Sequence, residues 1–177
     1  GGATLHMLRR HVGDEAFFTA LKNYLTQNAF KPVEAHNLRL AMEEVSGEDL
    51  NWFFNQWYFA AGHPQLNIEY SYDATAKEAV MQVTQNQSEK GVPGVFVLPV
   101  AVDVYAEGRS TRHNIRVDQR EQTFRFPAAV QPDLINFDAE RFLLAEIEDN
   151  KSEEDLVFQF KNARKFMDRN EAIERLI

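Results

Sequence analysis

The sequence predicts an α+β protein, in which a helical subdomain is followed by an antiparallel β-sandwich and then by the first helices of an α-helical repeat domain. Two changes of hydrophobic period predict this order. Apolar residues recur at helical spacing up to about Gly62, alternate with polar residues from Gln65, and return to helical spacing after Asp149. We therefore expect three domains, at residues 1–64, 65–147 and 148–177.

The first segment divides into successive amphipathic helices. Asp14 and Asp49 are the predicted N-caps of the second and fourth helices, and Gly47 is predicted to end the third. The breakers Gly62 and Pro64 end the segment. The aromatic faces are too apolar to remain in water, so we expect them to pack on one another and on protein outside this chain. The apolar stripes are Leu5, Leu8 and Val12; Phe17, Phe18, Leu21, Tyr24 and Leu25; Leu38, Ala41, Met42 and Val45; and Leu50, Phe53, Phe54, Trp57 and Tyr58.

Alternation of apolar and polar residues predicts the sandwich. Strands are predicted at residues 66–72, 79–85, 95–105, 110–117, 122–126 and 134–137. The third is apolar on both faces, as expected of a middle strand, and Pro99 within it predicts a bulge or an edge segment. About six short strands separated by regular turn signals are typical of an antiparallel β-sandwich.

Two helices are predicted to close the chain. Ser152 to Asp155 has the form of a capping box, and Asp168 is predicted to begin the second helix, with Ala172, Ile173 and Leu176 on one face. Two short helices cannot bury both of their faces, so we expect them to be the first unit of a helical array. Because the chain opens on Gly1 without Met and the helical pattern runs to its end, we expect a longer parent protein.

Composition excludes several classes of function. The chain has 177 residues, 44% hydrophobic and 26% charged, as in soluble globular proteins. A net charge of -8 argues against nucleic acid as a partner, since phosphate contacts need a basic surface. No apolar run is long enough for a membrane span. The absence of cysteine excludes disulfides and thiolate zinc ligands.

No active site is predicted from the residues themselves: we predict no catalytic, no cofactor-binding and no metal-binding residue in this chain. A zincin site needs two His one helical turn apart with Glu between them, and no two His here have that spacing. His6 and His11 would point about 140° apart on a helix. There is also no Gly-x-Ser-x-Gly elbow and no phosphate-binding loop. The histidines are His6, His11, His36, His63 and His113.

The order of several motifs resembles one family. The segments that carry the resemblance are Gly1 to Arg9, Val12 to Phe18, Glu43 to Leu50, Trp52 to Trp57, Gly62 to Leu66 and Asn136 to Asp138. They resemble the aminopeptidase N family of zinc metallo-aminopeptidases, the gluzincins, and the resemblance extends over nearly the whole chain. The helical motifs are the specific part, because strand patterns are generic.

The resemblance implies a parent enzyme that removes N-terminal residues from peptides with one catalytic zinc. Residues 1–64 would be the helical end of a thermolysin-like catalytic domain, 65–147 the β-sandwich domain, and 148–177 the start of a HEAT-like helical domain. The family's zinc ligands, general base and oxyanion-stabilising Tyr would all lie before Gly1. The implied partners are therefore the rest of the parent's catalytic and helical domains, with peptide substrates for the parent.

Two alternatives stay open at this point. One is a scaffold or binding protein that kept the fold without the metal. The other is an independent sandwich module that binds peptide or sugar, for which Tyr70, Tyr72 and Tyr105 would be the exposed aromatic candidates. Packing in the core or within the sheets is the favoured explanation of these three residues. The composition does not choose between cytoplasm, periplasm and cell surface.

Overall fold

The computed structural model describes all 177 residues, which form six helices and seven strands. Contacts divide the chain into a helical unit, Gly1–His63 with Ser88–Pro93, and a sheet unit, Pro64–Gln87 with Gly94–Ile177. The α+β class is confirmed, whereas the assignment of residues 1–64, 65–147 and 148–177 to three domains stays a prediction. The elements are α1 (Gly2–Val12), α2 (Asp14–Gln27), α3 (Ala35–Ser46), α4 (Asn51–Trp57), β1 (Gln65–Asp73), β2 (Glu78–Gln85), β3 (Leu98–Ala106), β4 (Arg109–Val117), β5 (Glu121–Pro127), β6 (Leu134–Asn136), β7 (Glu146–Asp149), α5 (Glu153–Asn162) and α6 (Phe166–Leu176).

The core of the helical unit is built mainly from part of each predicted apolar stripe, whereas Phe18 and Leu25 of the second stripe are exposed. Leu8, Leu50 and Phe54 have no exposed surface, and the ring of Phe54 stacks on Tyr58 with centroids 4.7 Å apart. Burial of one such side chain contributes about 1.5–3 kcal/mol. The other buried apolar residues of this unit are Met7, Phe17, Ala20, Ala41, Met42 and Phe53.

Asp14 does not cap α2, so this prediction is wrong. Gly13 is the N-cap, and Asp14 is the first residue of the helix. Its carboxylate accepts hydrogen bonds from Arg9 Nε and Nη2, at 2.9 and 2.7 Å. The carboxylate therefore binds a cation on α1 instead of the free backbone N–H groups of α2, while its charge still lies at the positive end of the helix.

Asp49 lies one residue too early to cap α4, whose N-cap is Leu50. Asp49 Oδ1 accepts hydrogen bonds from the backbone N–H and the side-chain amide of Asn51, each at 2.8 Å. This side chain therefore forms an Asx turn that leads into the helix. The predicted end of α3 is confirmed, because Gly47 has the left-handed conformation and its N–H donates to the Glu43 carbonyl at 2.9 Å.

Two sheets form the sheet unit, with strand orders β5-β2-β1-β7 and β4-β3-β6. Every neighbouring pair is antiparallel except β1 and β7, which are parallel with Gln65 opposite Glu146. The ring of His113 on β4 lies 4.6 Å from that of Phe126 on β5, so the two sheets meet there. β7 adds a strand that the sequence pattern does not predict, because its only apolar residue is Ile147.

β3 is the middle strand of its sheet, as its apolar faces predict. It begins at Leu98, three residues later than expected. Pro99 lies in an edge segment, because β6 pairs only with Asp103 to Tyr105 and leaves β4 as the single neighbour of β3 at Pro99. A residue without a backbone N–H is tolerated there.

The two closing helices pack within the sheet unit. Ser152 caps α5 as predicted, since its hydroxyl accepts from the Asp155 N–H at 3.2 Å. α6 begins at Phe166, two residues before the predicted start. Phe158 on α5 makes an edge-on ring contact with Tyr105 of β3, with centroids 5.8 Å apart. None of the helices combines the length and apolar character needed to cross a bilayer.

Gly62 provides a test of packing within the helical unit. Its φ is +76°, and a Cβ at this position would lie 2.5 Å from Cγ2 of Val92. We expect Gly62→Ala to lower the free energy of unfolding by about 2–4 kcal/mol in urea titrations, since left-handed strain and overpacking add. Gly91→Ala is the matched control, because its φ is +87° but no atom lies within 4 Å of the added Cβ. Equal losses in the two variants would show that the contact with Val92 has no cost.

Candidate functional site

The histidines are dispersed, and none of them belongs to a metal site in the structure. His11 Nε2 lies 2.9 Å from a carboxylate oxygen of Glu48, and its ring stands edge-on to Trp52. His36 packs on Phe59 with ring centroids 5.0 Å apart. No group of three or more His, Asp or Glu side chains could hold a metal ion. The expectation that this chain contributes no catalytic, cofactor-binding or metal-binding residue stays a prediction.

The largest polar arrangement is a set of ion pairs beneath α5 and α6, which we call the ion cluster. It contains three carboxylates and three cations, so its formal charges balance. The cluster links the turn after β6, the end of β7 and one face of α6. Its members are Arg141, Asp149, Lys151, Asp168, Glu171 and Arg175.

Arg141 is the central cation of the ion cluster. Its backbone N–H donates to the Asp138 carbonyl at 2.8 Å, and both residues have positive φ, 54° and 48°. This turn directs the guanidinium towards α6, where Nε lies 2.5 Å from Asp168 Oδ1 and Nη2 contacts Glu171. Asp168 is 1% exposed, so its charge depends on this partner.

Asp149 is the second centre of the ion cluster. Lys151 Nζ lies 3.1 Å from one of its oxygens and Arg175 Nη1 lies 2.6 Å from the other. Burial raises the pKa of Asp149, but Lys151 and Arg175 outweigh it and hold the pKa below its usual value. Burial likewise opposes ionisation of Glu171, and Lys151 and Arg141 prevail there too, so its pKa is lowered. Both groups are therefore carboxylates at neutral pH.

Two polar side chains complete the surroundings of the ion cluster. Gln159 has no exposed surface, and its Nε2 donates to the Asp168 carbonyl at 2.7 Å and to Glu171 at 2.8 Å. Burial, followed by the charges of Asp149 and Glu171, raises the pKa of Tyr70 well above its usual value. A neutral phenol and a set of satisfied charges offer no activated nucleophile, so the cluster holds structure together.

A second ion group connects β3 and β4 with α6. Arg112 Nε and Nη2 donate to the two oxygens of Asp103 at 2.7 and 2.8 Å, and Nη1 contacts Glu140. Lys165, just before α6, lies 3.3 Å from Glu140. The hydrogen bonds that Arg112 donates to Asp103 raise the pKa of Arg112. Asp103 is 2% exposed, which makes this bidentate pair the means by which its charge is tolerated.

A cleft of about 90 Å³ opens beside the last residues of β1. Its lining comes from β1, from the turn before β6 and the start of β6, and from the residues at and just before the start of α5: Tyr70, Ser71, Tyr72, Gln131, Pro132, Leu134, Ile135, Lys151 and Asp155. Of the three tyrosines named as candidates for the alternative binding module, Tyr105 is buried, whereas Tyr70 and Tyr72 are half-buried at the cleft. They form no exposed aromatic platform.

Comparisons with known proteins agree with one another. The peptidase family M1 domain matches residues 1–57. Aminopeptidase N of Lactococcus lactis is 36% identical over 69 residues, 39% of this chain and 8% of that protein. Aminopeptidase N of Escherichia coli is 24% identical over 199 residues, covering 100% of this chain and 22% of the relative. Legionella pneumophila aminopeptidase A, solved in complex with aspartic acid, shares the fold with a TM-score of 0.83 at 19% identity, over 99% of this chain and 20% of that one. The chain is similar to a segment of aminopeptidase N.

The resemblance predicted from the ordered helical motifs is thus confirmed. The chain spans about a fifth of the length of the Escherichia coli relative. The family match falls on the helices α1 to α4, where the predicted motifs were most specific. The ion cluster was not predicted, since Arg141 binds partners 27 and 30 residues away and no local spacing signals such pairs.

Removal of the Arg141 charge tests the ion cluster. We expect Arg141→Met to lower the free energy of unfolding by about 3–5 kcal/mol, because Asp168 would remain a buried carboxylate without its partner. Arg125→Met is the matched control: Arg125 pairs with Glu78 at 3.1 Å but is 53% exposed, so about 0–1 kcal/mol is expected. Urea titrations give the free energy of unfolding of both variants. A loss for Arg141→Met as small as that for Arg125→Met would contradict the role of Arg141 in stabilising the ion cluster.

Asp138 gives the sheet unit a pH-dependent contribution to stability. Burial raises its pKa to about 6, against hydrogen bonds from the N–H groups of Leu143 and Phe142. Because the pKa of Asp138 is higher in the folded than in the unfolded chain, its protonation stabilises the fold. This stabilisation is fully present below the pKa of the unfolded chain, near 4, and is lost as pH rises through about 6. We therefore compare the free energy of unfolding of the unsubstituted chain with that of Asp138→Asn. The first value minus the second should fall by roughly 2–3 kcal/mol between pH 4 and 7.5.

Asp14→Asn is the control of opposite sign for this measurement. The hydrogen bonds from Arg9 lower the pKa of Asp14, so the corresponding difference should rise with pH. Chemical denaturation across the pH range gives both differences, and effects of other carboxylates cancel in each. A pH-independent difference for Asp138→Asn would contradict the assignment, in which the effect of burial on the pKa of Asp138 exceeds that of its hydrogen bonds.

Proposed function

We propose that this chain is a structural portion of a zinc-dependent aminopeptidase that removes N-terminal residues from peptides, and that the zinc site lies outside the chain. The observation that carries the proposal is the coincidence of two matches. The peptidase family M1 domain matches residues 1–57, which contain α1 to α4, and the fold of an aminopeptidase covers 99% of the chain. The partners we propose are the remaining catalytic and helical domains of the parent, which acts on peptides.

Apolar side chains exposed on the helical unit support packing against another part of the same parent polypeptide. Phe30 is fully exposed, and Phe18 and Leu25 are more than half exposed. Monomeric proteins leave few such groups together in water unless they contact another protein surface. We propose that these helices complete the lower half of the parent's catalytic domain. The other exposed apolar residues of the unit are Val33, Leu40 and Phe59.

The match to peptidase family M1 implies zinc in the parent enzyme, and the residues of this chain do not fit the ion. No three potential ligands converge anywhere in the structure. His6 is exposed on α1, whereas His11 on the same helix is half-buried and lies beside Glu48. A shared ligand pair on α1 therefore has no support.

An activity measurement on the 177-residue chain tests the proposal. We expect no release of fluorophore from a panel of aminoacyl amides in the presence of zinc, and no metal uptake in competition with a chromophoric chelator. The variant His6→Ala/His11→Ala should give the same result, because these side chains do not share a metal. Two controls apply if zinc-dependent turnover is observed: it must disappear when a chelator is added, and it must persist after the protein is purified again. Turnover that meets both conditions would overturn the placement of the zinc site outside the chain.

A further inference from the structure

The edge of β1 is only partly covered. β1 runs from Gln65 to Asp73, but β7 pairs with it only from Gln65 to Ile68. Beyond Ile68, the strand therefore has β2 on one side and no strand on the other. An uncovered strand edge presents backbone donors and acceptors that can pair with another chain.

The side chain of Asn150 continues the pairing where β7 ends. The backbone N–H of Tyr70 donates to Asn150 Oδ1 at 2.8 Å, and Asn150 Nδ2 donates to the Tyr70 carbonyl at 3.2 Å. A primary amide has the same donor and acceptor as a peptide group. The edge of β1 thus already binds one amide in the manner of a neighbouring strand.

The backbone of Tyr72 points to the same side as that of Tyr70. Successive residues of a strand direct their N–H and C=O groups to alternate sides, so positions two apart share a direction. Gln65 fits this alternation, because its carbonyl accepts from the Asn86 N–H at 2.7 Å on the β2 side. On the other side, Tyr72 has neither a strand nor a side-chain amide opposite its backbone, and its phenol donates instead to the Ala128 carbonyl at 3.2 Å.

The cleft lies at this uncovered position. Its volume of about 90 Å³ equals roughly three water molecules, which is room for about one peptide unit. The charged groups in its wall are already engaged, since Lys151 pairs with Asp149 and Asp155 belongs to the cap of α5. A neutral group that both donates and accepts a hydrogen bond therefore fits the cleft better than an ion does.

We propose that the edge of β1 at Tyr72 binds an extended peptide segment through a pair of backbone hydrogen bonds. The segment lengthens the sheet at the point where β7 and Asn150 end, so the site is continuous with the β1–β7 interface. Backbone pairing supplies the affinity, and the small cleft favours a neutral, small side chain. This inference is independent of the enzymatic role proposed above.

The test uses N-acetyl-trialanine amide as the probe with the 15N-labelled 177-residue chain. We expect the backbone amide signal of Tyr72 to shift on titration, together with signals of residues that line the cleft. The matched probe is the same peptide with every backbone nitrogen methylated, which removes its donors and keeps its apolar groups. Loss of one hydrogen bond should weaken binding about tenfold.

Variants of the chain separate the backbone of Tyr72 from its side chain. Tyr72→Pro removes the N–H on the open side without removing a bond to β2, and it should weaken binding by about tenfold. Because Tyr72→Pro also removes the ring, Tyr72→Ala is its matched control: it loses the ring but keeps the backbone N–H, and it should bind as the unsubstituted chain does. Equal affinity of the methylated and unmethylated probes would overturn the proposal, as would the absence of a shift at Tyr72 in the folded, unsubstituted chain. Both outcomes can be judged whether or not the proline variant folds.

Discussion

The position of the two C-terminal helices in the sheet unit depends on the guanidinium of Arg141. It is the one cation that contacts both Asp168 and Glu171, and it reaches them from a turn held in a left-handed conformation. Because the guanidinium is planar and its N–H groups have fixed directions, it can bind both carboxylates only when α6 lies in this position. A buried ion cluster adds little net stability compared with apolar packing of the same volume, but loss of one partner leaves a buried charge unpaired, so the pairs to Arg141 and Asp149 disfavour any displacement of α6.

The surfaces available to partners differ between the elements. All of the large exposed apolar side chains lie on helices, turns or the chain terminus, and none lies on a strand. On the strands, the buried charge of Asp103 is paired with Arg112. Exposed apolar surface is therefore concentrated outside the strands.

Most of the fold could be predicted from the sequence because its signals are local. Helical stripes, strand alternation, the Ser152 cap and the left-handed Gly47 all follow from residues within a few positions of one another. Asp14 was misassigned because Arg9, five residues earlier, takes its carboxylate. β7, the ion cluster and the cleft were missed for a different reason: their partners come from distant parts of the chain.

The parallel pairing of β1 with β7 also governs when the sheet can be completed. Gln65 and Glu146 are separated by 81 positions, so closing this ladder carries the entropy cost of a long loop. The hairpin of β1 and β2 has no such delay, because Asp73 and Glu78 are paired across a short turn. During synthesis the ribosome releases β1 and β2 well before β7, and the growing chain carries an unprotected strand edge in that interval. Until β7 is made, the outer edge of β1 is thus the part of this sheet that is open to pairing with another chain.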